Sequence, residues 1–219
     1  MRNHTFEIGE YYHIYNRGNN KRDIILNKED LSRFVQSIVE LNIPEPIGSL
    51  FELSFRKKNL PELGSSTTKL VSIVAYCVNP NHFHLLLTPL VENGIEKFMQ
   101  KLGGYTRYFN EKNKNSGSLF QGRFKSKHIK NDRYLNHVSA YINMNNRNLL
   151  GSSTTKLSRS SLEEYIGDTV DLNRICDTDI VLGQFQSKKA YAKFALESWQ
   201  DTQKRKRELK MTDLDFLLE

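Results

Sequence analysis

The stretch Val71-Ser72-Ile73-Val74-Ala75-Tyr76-Cys77-Val78-Asn79-Pro80-Asn81-His82-Phe83-His84-Leu85-Leu86-Leu87-Thr88 decides the fold. A β-branched and aromatic run over Lys69 to Val78 reads as a strand, Asn79-Pro80-Asn81 as a turn, and His82 to Thr88 as the returning strand. Side chains alternate along a strand, so His82 and His84 project to one face about 7 Å apart, while Phe83 serves the other. Two imidazoles so placed suit one metal ion. The same spacing also suits polar residues on the open face of a sheet.

Working outward, Tyr11 to Asn16 is aromatic and β-branched and closes on Arg17-Gly18-Asn19-Asn20, a strand and a turn. Asn27 reads as the cap of a helix over Lys28 to Asn42, with Leu31, Phe34, Val35, Ile38 and Leu41 at helical spacing. Ile47 to Phe55 reads as a short strand, and 56 to 69 as a polar loop. Asn93 or Gly94 opens a helix running through Lys112. A last strand is expected at 124 to 129, then a helix from Asn131 or Asp132 to Asn146. This order predicts an α+β fold, an antiparallel-rich sheet with helices on one face. Three segments are expected: a catalytic domain over 1–148, a Ser/Thr-rich linker over 149–161 and a helical C-terminal extension over 162–219.

The chain has 219 residues, enough for a real core, and its two cysteines give neither a disulfide framework nor metal-knuckle spacing. No signal core and no 18-residue apolar run occurs, so a cytoplasmic setting is expected. Net charge is +7. Between Lys97 and Arg133 ten Lys and Arg face only Glu111 and Asp132, with Tyr105, Tyr108, Phe109, Phe120 and Phe124 interleaved. Cations for phosphates beside rings for stacking point to single-stranded nucleic acid.

Tyr141 and Asn145 lie four apart on the last helix of the core, hence on one face of it. With the histidines they suggest phosphoryl transfer: a divalent ion held by two imidazoles and an amide oxygen, and a phenol as nucleophile. A tyrosyl phosphodiester keeps the bond energy, which suits strand transfer better than degradation. Tyr105, Tyr108 and Tyr134 compete for that role. Tyr141 is preferred because Asn145 shares its face while Val138 and Ile142 anchor the helix.

Four motifs, in order, carry a resemblance. Tyr12-His13-Ile14-Tyr15-Asn16-Arg17-Gly18, Ala75 through Leu86, Ser118-Leu119-Phe120-Gln121-Gly122-Arg123-Phe124-Lys125-Ser126 and Tyr141-Ile142-Asn143-Met144-Asn145 look like the REP-associated tyrosine transposases. These are single-tyrosine HUH transposases of the insertion-sequence-200 type. The resemblance covers residues 8 to 148 and weakens toward 195. It implies a ferredoxin-like core, His82, His84 and Asn145 as ligands of Mg²⁺ or Mn²⁺, and Tyr141 as nucleophile. It further implies cutting of single-stranded DNA beside a palindromic hairpin, leaving a 5′-phosphotyrosine and a free 3′-OH, by a monomer or homodimer. Arg17, Asn19, Arg107, Arg123 and Lys125 are the expected DNA contacts, on charge as well as family position. Relatives usually continue the helix motif with Asn-Pro, where this chain has Asn145-Asn146. Two rivals stand beside this reading: a catalytically silent hairpin binder on the same fold, and an HUH replication initiator or relaxase.

Leu63-Gly64-Ser65-Ser66-Thr67-Thr68-Lys69-Leu70 recurs identically at Leu150 to Leu157. Its composition is that of a flexible linker. Codons also exist for which it is the translation of a DNA palindrome, and the gene sequence decides whether those codons are used.

Overall fold

The computed structural model describes residues 5–46, 48, 50, 68–149, 156–167 and 174–208. Both copies of the octapeptide fall largely outside this range, as does most of the strand expected at 47 to 55.

Strand β1 (Tyr11–Arg17) alternates, sending Tyr12 and Ile14 to one face and His13 and Tyr15 to the other. Helix α1 (Lys28–Glu40) begins where Asn27 Oδ1 accepts the Asp30 N–H at 3.0 Å, and Asp30 reciprocates by accepting the Leu26 N–H at 3.0 Å. Strands β2 (Val71–Asn79) and β3 (His82–Pro89) form the expected hairpin, with Asn79 opposite His82 across the turn. That turn is anchored from outside. Pro80 carbonyl oxygen accepts the N–H groups of Ile24 and Ile25 at 2.6 and 2.9 Å, and Asn81 carbonyl oxygen accepts the Gly18 N–H at 2.8 Å. A Cβ on Gly18 would stand 2.0 Å from the Arg22 carbonyl oxygen, so this approach requires glycine.

The single helix expected over 94 to 112 is two, α2 (Gly94–Leu102) and α3 (Tyr105–Asn113). The break falls on Gly103-Gly104. Each glycine is about 1 kcal/mol less favourable than alanine in a helix. Here the bonds tighten to i−3, with Gly104 N–H donating to Lys101 and Thr106 N–H to Gly103. Strand β4 (Lys125–Ile129) leads to α4 (Asp132–Met144), capped by Asn131 Oδ1 on the Tyr134 N–H at 2.9 Å, and a 3₁₀ turn follows over Asn145–Leu149.

With a short edge strand β5 (Arg159–Ser160), the sheet order is β4-β1-β3-β2-β5 and every pairing is antiparallel. The first four strands with their crossover helices are a β-α-β-β-α-β, ferredoxin-like unit, as expected. Its helices α1, α2 and α3 cover one face, packing Phe34, Ile38, Phe98, Tyr105 and Phe109 on Tyr12, Ile14, Phe83, Leu85 and Leu87. Helices are not confined to that face. Helix α4 and the C-terminal α5 (Leu162–Ile166), α6 (Asp179–Leu182) and α7 (Lys188–Glu208) cover the other, over Ala75, Cys77 and Leu86. The register shift between Ile73 and Ala75 lets β2 send two successive residues, Val74 and Ala75, to the second core, while Ile73 and Tyr76 face the first.

The stretch expected as a linker is partly structural. Arg159–Ser160 form the edge strand β5 on β2, and buried Ser161 accepts the Tyr76 N–H at 2.9 Å. The C-terminal helices share one apolar cluster with α4, so they complete the second core rather than trail from it. No described helix is long and apolar enough to cross a membrane.

Candidate functional site

The second face of the sheet carries the chemistry. Tyr15 pairs directly with His84, and Arg17 with His82, so these four side chains share that face with His13, Cys77 and Asn79. The His82 and His84 rings stand 5.1 Å apart, nearly perpendicular, closer than strand spacing alone gives. Helix α4 lies above them. The Tyr141 ring meets His84 edge-on at 5.5 Å and His13 at 6.2 Å. One helical turn on, buried Asn145 places Oδ1 3.1 Å from His82 Nε2. One helix therefore brings a phenol and an amide oxygen to the two histidines of its own chain.

The other candidate nucleophiles are placed differently. Tyr105 is buried on the opposite face, its hydroxyl donating to the Ile24 carbonyl at 2.8 Å, and Tyr108 donates to Asp30 at 3.2 Å. Tyr134 lies on α4 and lines the same cleft as Tyr141, with the Lys127 ammonium 5.4 Å from its ring centre.

Each imidazole has a partner that orients it. Asn81 Oδ1 lies 2.6 Å from His82 Nδ1. An amide oxygen can only accept, so the proton sits on Nδ1 and the lone pair of the neutral ring on Nε2, toward Asn145. His84 Nδ1 faces His13 Nε2 at 2.9 Å. His13 is fully buried, and burial first, then the nearby Lys127 charge, pushes its pKa down to about 3, so it is neutral near pH 7. When neutral His13 accepts from His84 Nδ1, His84 keeps its lone pair on Nε2, the arrangement a metal-ligating histidine needs.

The donor set fits a hard or borderline divalent cation. Ligands about 2.1 Å from an octahedral ion stand about 3 Å from their neighbours. That is the separation of His82 Nε2 and Asn145 Oδ1, 3.1 Å. The donors are neutral. Among the described residues no three or more His, Cys, Asp or Glu converge as a metal-holding group. Burial pushes the neighbouring Cys77 thiol up to about 12, so it stays protonated.

The expected DNA contacts divide by position. Arg17 is half-buried beside His82, and its Nε is buried without a hydrogen-bond partner. Lys125 sits opposite Tyr15 on β4, its ammonium 5.7 Å from that ring's centre. Asn19 is exposed on the turn after β1, and exposed Arg123 borders a hollow of about 170 Å³ with Asn16, Phe83, Phe120 and Phe124. Arg107 lies apart from the histidines. It projects from α3, on the opposite face, and pairs with Glu111 at 2.7 Å. A cleft of about 640 Å³ opens between α4 and α7 beside Tyr141, with Arg133, His137 and Arg205 on its walls.

Sequence reasoning missed His13, Lys127 and Asn79 as site residues. His13 and Lys127 face each other across β1 and β4. Alternation puts His13 on the face of Tyr15, but the register that sets this face against His84 is not written in any one segment.

Residues 63–145 match the family model described as transposase, IS200-like. That segment holds both histidines, Tyr141 and Asn145. Over it the chain is similar to that family, and the resemblance read from the motifs stands. No curated protein matches the sequence. The chain is also similar to a solved structure described as the REP-associated tyrosine transposase bound to a REP hairpin, with 16% identity and a TM-score of 0.46, covering 80% of this chain and 95% of that one.

Proposed function

We propose that this protein nicks single-stranded DNA beside a hairpin and transfers the strand through a 5′-phosphotyrosine on Tyr141. The observation that carries this is the single helix α4, which sets the Tyr141 ring 5.5 Å from His84 and Asn145 Oδ1 3.1 Å from His82. His82, His84 and Asn145 are the residues that would hold Mg²⁺ or Mn²⁺. The ion would polarise the scissile phosphate and offset the charge that builds on it.

The remaining work falls to the chain. Arg17 and Lys125 flank the histidines with positive charge, and Lys127 stands one alternation further along β4. These three would hold the phosphate backbone. Tyr141 Oη forms a bond to phosphorus as the P–O3′ bond breaks. The phenolic proton ends on the released 3′-oxygen, giving a free 3′-OH and a tyrosyl phosphodiester. An incoming 3′-OH can reverse these steps and rejoin the strand. Asn19 and Arg123 would bind more distant phosphates, whereas the placement of Arg107 supports a contact least.

A labelled hairpin oligonucleotide with a single-stranded flank, incubated with Mn²⁺, tests the reading. The expected result is a denaturant-resistant protein–DNA adduct that Tyr141→Phe abolishes while retaining hairpin retardation. Retardation with no adduct from the wild-type protein would leave a silent hairpin binder instead.

A further inference from the structure

Asn79, the last residue of β2, is 1% exposed and lies against the site. Its Nδ2 donates to Asn145 Oδ1 at 2.6 Å and contacts His82 Nε2 at 3.1 Å. Its own Oδ1 is buried without a hydrogen-bond partner. These facts belong together. With the His82 proton held on Nδ1 by Asn81, both His82 Nε2 and Asn145 Oδ1 present lone pairs, 3.1 Å apart. Two acceptors that close repel unless positive charge lies beside them. The two N–H groups of Asn79 supply it, and its orphaned oxygen is a desolvation cost left unmet in this arrangement.

We infer that Asn79 is a further ligand side chain of this site, whose amide clamps His82 and Asn145 in the metal-free protein and turns over to present Oδ1 when a divalent cation enters. The inference rests on the cation-site reading above. Its logic is electrostatic. A cation between the acceptors takes over the part played by the Asn79 protons, and those protons would then face like charge. Rotation about the side chain's last bond exchanges NH₂ for the oxygen that lacks a partner, removing the repulsion and adding a hard oxygen donor. The backbone need not move, because Pro80 and Asn81 pin the turn to Ile24, Ile25 and Gly18.

The test uses the full chain without DNA. Mn²⁺ affinity is measured from the free-ion electron paramagnetic resonance signal. The side-chain NH₂ signals of Asn79 are followed by NMR as Mg²⁺ is added. Asn79→Ala is expected to weaken Mn²⁺ binding about tenfold, within the range for residues that support a metal site. Asn79→Asp, which has no N–H to bridge the acceptors but keeps an oxygen ligand, is expected to bind Mn²⁺ at least as tightly as wild type. Its melting temperature should drop in chelator and recover with Mn²⁺. In the wild type, the Asn79 NH₂ signals should shift on Mg²⁺ addition. If the wild type binds no cation, the inference falls together with the metal-site reading. If the wild type binds but folded Asn79→Ala binds equally or more tightly, the inference alone is overturned. Unmoved NH₂ signals at saturating Mg²⁺ also overturn it alone. A merely structural Asn79 would lower the melting temperature of Asn79→Ala and leave its affinity unchanged.

Discussion

His13 is the third residue of a strand whose aromatic character hides it, yet its surroundings alter it strongly. Its pKa falls from 6.5 to about 3 because burial disfavours the charged ring. In the unfolded chain it takes up a proton below about pH 6.5, whereas the folded site resists that proton until about pH 3. The unfolded state thus binds more protons across this window, and stability falls as pH falls through it. Each pKa unit is about 1.4 kcal/mol, so the loss is on the order of a few kcal/mol. Chemical unfolding in chelator between pH 7 and pH 4 should show this slope, and His13→Leu should flatten it. His137, lowered by burial and by Arg133 and Arg205, adds a smaller contribution of the same sign. Spacing made His82, His84, Tyr141 and Asn145 readable in the sequence. His13 became a site residue only through pairing across strands 71 positions apart.

Helix α4 is held by more than its apolar stripe. Asn143 Nδ2 donates to the Tyr191 hydroxyl at 2.7 Å, Ser161 Oγ donates to Asn143 Oδ1 at 2.6 Å, and Ser139 reaches the same Tyr191 hydroxyl at 3.2 Å. All four side chains are buried, so this network ties the tyrosine helix to α7 and to the turn after β5. Tyr191→Phe leaves the Asn143 amide without its acceptor and should cost about 1–3 kcal/mol in denaturant unfolding. Hydrogen exchange should show the loosening in α4 first. At the sheet's edge, β4 sends Lys125 and Lys127 to the histidine face. Lys127→Ala should weaken hairpin binding and lower the salt-dependence slope by about one. Arg107→Ala, on the far face and already paired with Glu111, should leave affinity within about twofold. Charge counting in the sequence marked Arg107 and Lys125 alike. Only the course of their elements separates them: the glycine pair ends α2, and α3 carries Arg107 away on the other face.

Taken whole, the molecule is one sheet between two apolar cores. The periodicities of 2 and 3.6 residues exposed the first core almost entirely, because its strands and helices are contiguous patterned segments. The second core was legible only in part, since Ala75, Cys77 and Leu86 meet helices more than 40 residues further on and the amphipathic pattern of α7 is weak. That second core is rich in buried phenols. Burial raises the pKa of Tyr191 to about 12 and lifts Tyr165 well above the ordinary value, with Tyr76 raised on the other side of the sheet. An unfolded tyrosine ionises near pH 10, so the folded state binds more protons above that pH and loses stability as pH rises through it. Unfolding free energies should therefore decline from about pH 10 upward, and Tyr191→Phe should lessen the decline.

The absence of any carboxylate from the His82, His84 and Asn145 set has a thermodynamic consequence. Nothing in that trio neutralises a doubly charged ion, so on the proposed reading the substrate's own phosphate must do so. Ion and oligonucleotide then strengthen each other's binding by one common factor, as linkage demands. A Mn²⁺ titration at rising hairpin concentration should show steadily tightening apparent affinity, and a chelator should loosen the DNA in the same proportion.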